Sequence, residues 1–285
     1  MCRRPTPLRV KSDGRRDPRR LPGVVLSQAR ESGPWPGVPA RVDDRRHGKP
    51  LSRRTALIAS ALTLIFSRST NAQSSAMQHV VLLGDSVFDN AAYIGGHPDV
   101  RRQVAPLLPP GAQVGLLAQD GAVIADVTSQ LGRIPREATH IVLSAGGNDA
   151  LRAAGVLEDR AASVADALNK LAVVGDRFRR DYNALLDAVA RRGLPTAVCT
   201  IYEPRFPEAN RRRVAATALT LLNDHITVAA FGRGLAVIDL RVICDRDEDF
   251  ANPIEPSARG GEKIARAIAA FVLGAAPSAA VFGKG

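Results

Sequence analysis

The sequence lacks the features that mark several classes of protein. It has only three cysteines, and none of its Cys and His residues are spaced as zinc ligands. No apolar run reaches the roughly 18 residues of a membrane-spanning helix. Its glycines form neither a P-loop nor a dinucleotide-binding pattern. The sequence therefore predicts no zinc site and no transmembrane span, and we expect no metal and no cofactor.

Basic residues are in excess only in the first 76 residues of the chain. The 285 residues carry a formal net charge of +11, and this first segment alone holds 16 basic and 5 acidic side chains. Residues 77–285 hold 23 of each sign. Nucleic-acid binding needs a basic face on the folded part, so the overall charge of residues 77–285 gives it no support. Their length suits one domain with a sizeable core.

The basic leader, residues 1–76, has two sections. Residues 1–50 are rich in Arg, Pro and Gly, show no apolar period and are predicted to be disordered. Residues 52–72 resemble an export signal peptide, because a pair of arginines precedes a short apolar stretch that ends in small residues. Arg68, which follows the apolar stretch, and the long segment upstream both depart from that pattern.

Three origins of this leader stay open. In the first alternative, the whole leader is genuine. In the second, the start is misplaced and a later codon, such as that of Val42, is the true one. In the third alternative, translation begins at Met77, directly before the first predicted strand. A genuine signal peptide implies export to the periplasm or beyond, whereas a start at Met77 implies a cytoplasmic protein.

Strand and helix patterns alternate along residues 77–285. Short apolar runs predict buried strands, and longer segments with a 3.6-residue apolar period predict helices. This alternation predicts an α/β protein with a parallel sheet and helices on both faces. The predicted strands are residues 79–83, 112–118, 139–143, 196–201 and 235–240, and the predicted helices are residues 98–108, 123–131, 161–192, 208–231 and 257–273.

Polar turns follow the first three strands, at the carboxyl edge of the sheet where ligands of such sheets bind. The three turns are Gly84-Asp85-Ser86, Asp120-Gly121 and Gly146-Gly147-Asn148-Asp149. The first turn places the Ser86 hydroxyl where a nucleophile would stand. The backbone N–H groups of Ser86 and Gly121 and the side-chain amide of Asn148 could stabilise a developing oxyanion. Together the turns predict acyl-transfer chemistry.

The order of these motifs resembles that of the SGNH hydrolases, also called the GDSL esterase and lipase family. The first motif reads Leu-Leu-Gly-Asp-Ser with Ser86 in the nucleophile position, while Gly121 and Asn148 occupy oxyanion positions. The resemblance covers nearly all of residues 78–275. It implies a three-layer, flavodoxin-like α/β/α fold with a five-stranded parallel sheet. It also implies hydrolysis of esters, which in this family include acyl lipids, acetylated sugars and thioesters.

The last motif of the family is altered in this chain. The family carries Asp-x-x-His-Pro-Ser before the final helix, with His as the base and Asp as its orienting partner. Asn252 and Glu255 stand at those two positions here, followed by Pro256 and Ser257. A carboxylate with a pKa near 4.3 is a weaker base than imidazole by about two units, nearly 3 kcal/mol. Burial could raise the pKa of Glu255, and Asn252 could donate a hydrogen bond that orients it.

No other histidine is well placed to act as the base. His79 and His140 begin predicted strands and so belong at the opposite end of the sheet, and His225 lies within a predicted helix. His97 follows the first strand in a loop and could reach the site, although a solvated loop residue is the simpler interpretation.

Two smaller features are interpreted as structural. The acidic stretch from Asp245 to Asp249 lacks a calcium-binding pattern and is predicted to be a solvated loop. Cys199 and Cys244 both lie near the ends of predicted strands, so a disulfide is geometrically feasible. Two buried free thiols are the preferred interpretation.

Two functions remain to be distinguished. The first is a serine ester hydrolase that uses Ser86, Gly121, Asn148, Glu255 and Asn252 on a small-molecule, lipid or carbohydrate ester. The second is a catalytically impaired relative that binds an acylated or glycan-like ligand in the same pocket. The intact oxyanion residues favour the hydrolase, whereas the missing histidine favours the binding protein.

The leader gives a first testable prediction. Because the charge excess ends abruptly before Met77, we expect the mature protein to lack the leader. N-terminal sequencing of protein from its native source measures this directly. A terminus near Gln73 would favour export, one at Met77 would favour the internal start, and one near residue 1 would contradict the prediction.

Overall fold

The computed structural model describes residues 77–274 of the chain. The predicted disordered segment, the signal peptide at residues 52–72 and the alternative start at Val42 lie outside the described residues, so they stay predictions.

The centre of the domain is a five-stranded sheet in which every neighbouring pair of strands is parallel. Its strands lie in the order β2-β1-β3-β4-β5, so the chain crosses from one side of β1 to the other after β2. The predicted sheet is therefore confirmed. The strands are β1 (His79–Leu83), β2 (Gln113–Leu116), β3 (His140–Leu143), β4 (Thr196–Cys199) and β5 (Ala236–Ile238).

The helices cover both faces of this sheet. Two of them begin at serine caps: the Ser163 hydroxyl accepts a hydrogen bond from the Asp166 backbone N–H at 3.1 Å, and Ser257 does the same for Gly260 at 3.2 Å. The α-helices are α1 (Val100–Val104), α2 (Ile124–Gln130), α3 (Gly147–Ala153), α4 (Val164–Ala190), α5 (Ala209–Phe231), α6 (Leu240–Ile243) and α7 (Ala258–Val272).

Two hydrophobic cores hold the three layers together, and β1 contributes to both. Val81 and Leu83 point into the core formed with α2, α4 and α5. Val80 and Leu82 point into the core formed with α1 and α7. Successive side chains of a strand face opposite sides, so a fully apolar strand must be covered twice. The domain is thus a three-layer α/β/α structure, as predicted.

Two segments differ from the sequence prediction. Gly147, predicted to lie in a turn, begins α3, because Gly146 takes up the left-handed conformation (φ of 109°) and turns the chain directly into the helix. The segment after β5, in which no helix was predicted, contains α6 and a single 3-10 turn at Asp247–Asp249.

Helix α5 is long and apolar enough to cross a membrane by length and composition alone. Leu222 and Ile226 on its inner side pack in the core with α4 and the sheet, as expected for a core helix of a globular domain. Cys199 and Cys244 are both buried and unbonded. Burial raises the pKa of the Cys244 thiol to about 12, so this group behaves as an apolar side chain near neutral pH.

Candidate active site

The strand order creates a crevice where β1 and β3 end side by side. In the order 2-1-3-4-5 the connections from these two strands leave on opposite sides of the sheet, and ligands bind at such switch points. Ser86 follows β1 and Asn148 follows β3, so both lie at this crevice. The topology therefore brings together the first and third predicted motifs.

The turn after β1 is held from two directions at Gly84. The Gln130 side chain accepts a hydrogen bond from the Gly84 N–H and donates one to the Gly84 carbonyl, both at 2.8 Å. On the opposite side, a Cβ atom at position 84 would lie 2.1 Å from the Ser144 carbonyl oxygen. Because Gly84 also has a φ of 141°, only glycine fits this position.

Asp85 ties the same turn to the end of β3. Its carboxylate is buried and accepts hydrogen bonds from the Ser144 hydroxyl at 3.0 Å and from the Val87 N–H at 3.2 Å. Burial raises the pKa of Asp85 to about 6, and these two hydrogen bonds limit the rise. Asp85 therefore fixes the backbone on both sides of Ser86.

Helix α3 organises the second oxyanion segment. The Asn148 amide donates to the Ala122 carbonyl at 3.0 Å, and the Asp149 carboxylate accepts from the Ile124 N–H at 3.0 Å. Both contacts hold the chain that follows Gly121, which is exposed and has a φ of 76°. Among the hydrogen bonds of residues 77–274, none uses the backbone N–H of Gly121 or of Ser86.

Glu255 is carried by a tight hairpin between the 3-10 turn and α7. Phe250 and Pro256 form an antiparallel bridge, and the Ala251 N–H donates to the Glu255 carbonyl at 2.9 Å. Within the hairpin, Asn252 Oδ1 accepts from the backbone N–H groups of Ile254 and Glu255, both at 3.0 Å. Asn252 therefore shapes the backbone that presents Glu255.

The predicted donation from Asn252 to the Glu255 carboxyl is wrong. Glu255 Oε2 is a buried atom without a hydrogen-bond partner, and Asn252 is exposed at the tip of the hairpin. The oxygen of the Asn252 side chain satisfies two backbone N–H groups as an Asx turn does, and this local bonding wins over the side-chain contact.

The loop after β4 braces this hairpin. The Tyr202 hydroxyl donates to the Ile254 carbonyl at 2.6 Å, and its ring packs edge-on against Phe250. The backbone N–H of Arg205 donates to the Pro253 carbonyl at 2.7 Å. These contacts fix the hairpin relative to the sheet.

The base of the hairpin is anchored to α7. Asp249 is fully buried, and Lys263 donates to its carboxylate at 2.7 Å. Gly260 lets α7 approach so closely that a Cβ there would lie 2.1 Å from the Asp249 carbonyl oxygen. The prediction of a solvated acidic loop is therefore wrong for Asp249, whose charge is needed inside to pair with Lys263.

Burial changes the acidity of Glu255. The side chain is only 6% exposed, and burial raises its pKa to about 7. The nearby Ser86 hydroxyl opposes the rise in pKa, whereas the negative charges of Asp120 and Asp85 add to it. The carboxyl group thus titrates in the range that is usual for imidazole.

A second carboxylate lies at the edge of the site. Asp120 accepts a hydrogen bond from the Tyr93 hydroxyl at 2.6 Å, and its backbone N–H donates to the Asp89 carboxylate at 3.0 Å. The hydrogen bond to Asp120 raises the pKa of Tyr93 to about 12, so the phenol stays protonated and donates. Through these contacts the loop after β1 holds the segment that carries Gly121.

A cavity of about 680 Å³ opens beside these groups. Ser86, Asn148 and Glu255 all line it, together with Asp85 and Ser144. Its other walls come from α3, α4, α5 and the loop after β4. Gly121 and Asn252 do not line this cavity, so the structure brings together three of the five predicted site residues there and leaves these two outside its walls.

Two solved structures of lipases are similar to this chain. An extracellular lipase from Streptomyces rimosus has a TM-score of 0.53 and 17% identity, over 70% of this chain and 100% of that chain. The lipase Lip_vut3 from a goat rumen metagenome has a TM-score of 0.54 and 16% identity, over 68% of this chain and 97% of that chain. No family model and no curated protein matches the sequence. The chain has the SGNH-hydrolase fold.

Within this SGNH-hydrolase fold, no histidine of residues 77–274 lines the cavity. His79 and His140 are the first residues of β1 and β3, at the far edge of the sheet, and His225 lies inside α5. His97 is exposed in the loop before α1. Glu255, predicted from the sequence to be the base, is a titratable side chain that lines the cavity together with Ser86.

Sequence reasoning missed the polar residues that position this site. Gln130 holds the backbone of Gly84 through two hydrogen bonds. Asn223 on α5 holds Ile201 after β4 in the same way: its side chain accepts from the Ile201 N–H at 2.7 Å and donates to the Ile201 carbonyl at 2.8 Å. Asn90 joins the loop after β1 to the hairpin through the Pro256 carbonyl at 3.4 Å. Gln130 and Asn223 both sit on the inward faces of apolar helices, and an amide at such a position is the signal that could have revealed them.

The burial of Glu255 predicts a pH-dependent cost to stability. Its pKa is higher in the folded protein than in the unfolded chain, so ionisation destabilises the fold as the pH rises from about 4.5 through about 7. Glu255→Gln removes that ionisation. At pH 8 we expect the variant to be more stable than the wild type by about 1 to 2 kcal/mol, a figure reduced because water reaches the cavity.

Urea unfolding at pH 5 and at pH 8 measures this difference. The exposed Glu203→Gln provides the matched control, which should follow the wild type at both values. Equal stability of Glu255→Gln and wild type at pH 8 would contradict the assignment of a buried, ionisable Glu255.

Proposed function

We propose that this chain is a serine ester hydrolase that forms an acyl-enzyme on Ser86. The observation that carries the proposal is that Ser86 and a nearly buried Glu255 carboxyl line the same cavity at the switch point of the sheet. A hydroxyl needs a neighbouring base to act as a nucleophile, and a cavity is needed to hold the ester.

The first step is attack of Ser86 Oγ on the ester carbonyl carbon. The hydroxyl proton passes to Glu255, and the carbonyl oxygen gains the negative charge of the tetrahedral intermediate. The protonated Glu255 then gives its proton to the departing alkoxide, which leaves the acyl group on Ser86. Water then gives a proton to the same carboxylate as it attacks the acyl carbon, the bond from that carbon to Ser86 Oγ breaks, and Glu255 returns the proton to Ser86 as the acid is released.

The negative charge on the carbonyl oxygen is stabilised by three donors. The backbone N–H groups of Ser86 and Gly121 have no acceptor within residues 77–274, so both are free to bind an oxyanion. Asn148 donates one amide hydrogen to Ala122 and keeps the second for the substrate. Fixed donors of this kind cost no reorganisation when the charge develops.

The pKa of about 7 at Glu255 supports its role as the base. A base that titrates near the working pH is available in its ionised form and still binds the proton strongly. At an ordinary carboxylate pKa the transfer from serine would be harder by about 3 kcal/mol. Burial of Glu255 thus gives its carboxylate a basicity close to that of an imidazole.

The second candidate function is ligand binding without turnover. The observation that favours it is the absence of histidine from the cavity walls among the described residues. A protein that kept only the cavity and the oxyanion donors would bind an acylated or glycan-like ligand. The two functions differ in whether Ser86 reacts covalently.

Covalent labelling tests the nucleophile. Incubation with a serine-directed organophosphonate, followed by peptide mass mapping, should label Ser86, and Ser86→Ala should lose both the label and hydrolysis of small activated esters. Ser129→Ala, an exposed serine on α2, is the matched control and should retain both. Labelling elsewhere, or hydrolysis that survives in Ser86→Ala, would exclude Ser86 as the nucleophile.

The pH profile tests the base. Glu255 must be ionised to accept the proton, so kcat/KM for a small activated ester should rise with pH through about 7. Glu255→Gln should lower kcat by about 10²-fold or more and remove this inflection, whereas Glu203→Gln should leave both unchanged. Full activity in Glu255→Gln would assign it a structural role, and His97 would then be the next residue to substitute.

A further inference from the structure

The cavity beside Ser86 continues along one face of α5. The residues of α5 that line it recur at helical spacing from Asn210 to Leu222, so they form a continuous stripe. At 1.5 Å per residue this stripe is roughly 18 Å long. Leu171 and Val174 of α4 form the facing wall. We call this part of the cavity the α5 groove.

The walls of the α5 groove are apolar. Its α5 side presents Val214, Ala218 and Leu221. Beyond the Asp85 and Glu255 end, the charged lining residues are Glu158, Glu208 and Arg211, which are all exposed and therefore belong to its rim. An apolar cleft with polar groups gathered at one end fits a ligand that has a polar head and an apolar tail.

Helices α4 and α5 approach each other closely beside the groove. At Gly175 of α4 a Cβ would lie 3.0 Å from Leu221 and 3.1 Å from the ring of His225. The missing side chain lets the two helices approach at this point, next to the lining residue Val174. The groove therefore has a packed wall where the two helices meet.

We propose that the α5 groove binds the acyl chain of the substrate, a linear hydrocarbon chain whose carbonyl carbon lies at Ser86. The inference rests on the proposed hydrolase function and adds to it the substrate class. Each methylene removed from water should raise kcat/KM about fourfold until the chain fills the groove. Acetyl esters, which reach none of the groove, should be poor substrates.

Ala218 is a small residue of the α5 stripe that lines the groove. Its methyl side chain occupies little of the space that faces α4. A leucine there would project into that space and block a chain while leaving Ser86, Asn148 and Glu255 untouched. Ala216 lies on the same helix but does not line the groove, so Ala216→Leu makes the same chemical change elsewhere.

The test compares acetyl, butanoyl, octanoyl and dodecanoyl esters of p-nitrophenol with the full-length protein and both variants. In the wild type and in Ala216→Leu, kcat/KM should rise at least tenfold from the acetyl to the octanoyl ester. In Ala218→Leu the octanoyl and dodecanoyl values should fall at least tenfold, with the acetyl value within about threefold of the wild type. Leu171→Ala, which widens the facing wall, should favour the dodecanoyl ester.

Each result bears on the groove or on the chemistry separately. Hydrolysis of acetyl esters with no gain for longer chains, or identical profiles for the two leucine variants, overturns the acyl groove and leaves the hydrolase proposal standing. If no ester is cleaved and Ser86 is not labelled, the hydrolase proposal fails. Calorimetric binding of dodecanoate then decides the groove: binding that is lost in Ala218→Leu supports it, and absence of binding in the wild type overturns it.

Discussion

The site depends on the contact between the turn after β1 and the last residues of β3. Gly84 lies so close to the Ser144 carbonyl that any side chain would collide with it, and Asp85 bonds the Ser144 hydroxyl from the next position. Gln130 holds the same turn from the opposite side. Because β3 leads directly into α3, this single contact fixes Ser86 relative to Asn148. The hairpin that carries Glu255 is then the one remaining part to be positioned, and Tyr202, Arg205 and Asn90 do so.

Burying Glu255 opposes stability and, in the proposed mechanism, makes the carboxylate a stronger base. A carboxylate that lacks hydrogen-bond partners is unfavourable inside a protein, and Glu255 Oε2 has none. The same lack of partners keeps the pKa near 7, because each hydrogen bond to the charged form would lower it. Asp249, in the same loop, is also buried, but Lys263 forms an ion pair with it and neutralises its charge. Unfavourable burial of a charged group is commonly found at functional sites, where the stability of the surrounding core offsets its cost.

The fold and the main site residues could be predicted because they depend on local patterns. The apolar run of β1 must be covered on both faces, and a turn that follows it must lie at the sheet edge. The clamp by Gln130 could not be predicted, because it joins groups 46 residues apart and depends on how α2 packs. The pKa of Glu255 was open for the same reason: it is set by burial and by Asp120 and Asp85, which come from distant parts of the chain.

Asn252 and Glu255, the two altered residues of the last motif, together carry the same net charge as the Asp and His that they replace. A family pair of ionised Asp and neutral His carries one negative charge before proton transfer and none after it. Neutral Asn252 with ionised Glu255 also carries one negative charge before transfer and none after it. An Asp at position 252 could still accept from the two backbone N–H groups, but it would add a second negative charge close to Glu255 and raise the pKa of that carboxyl further. In the proposed mechanism, a neutral residue that keeps the backbone hydrogen bonds is therefore a suitable neighbour for a carboxylate base.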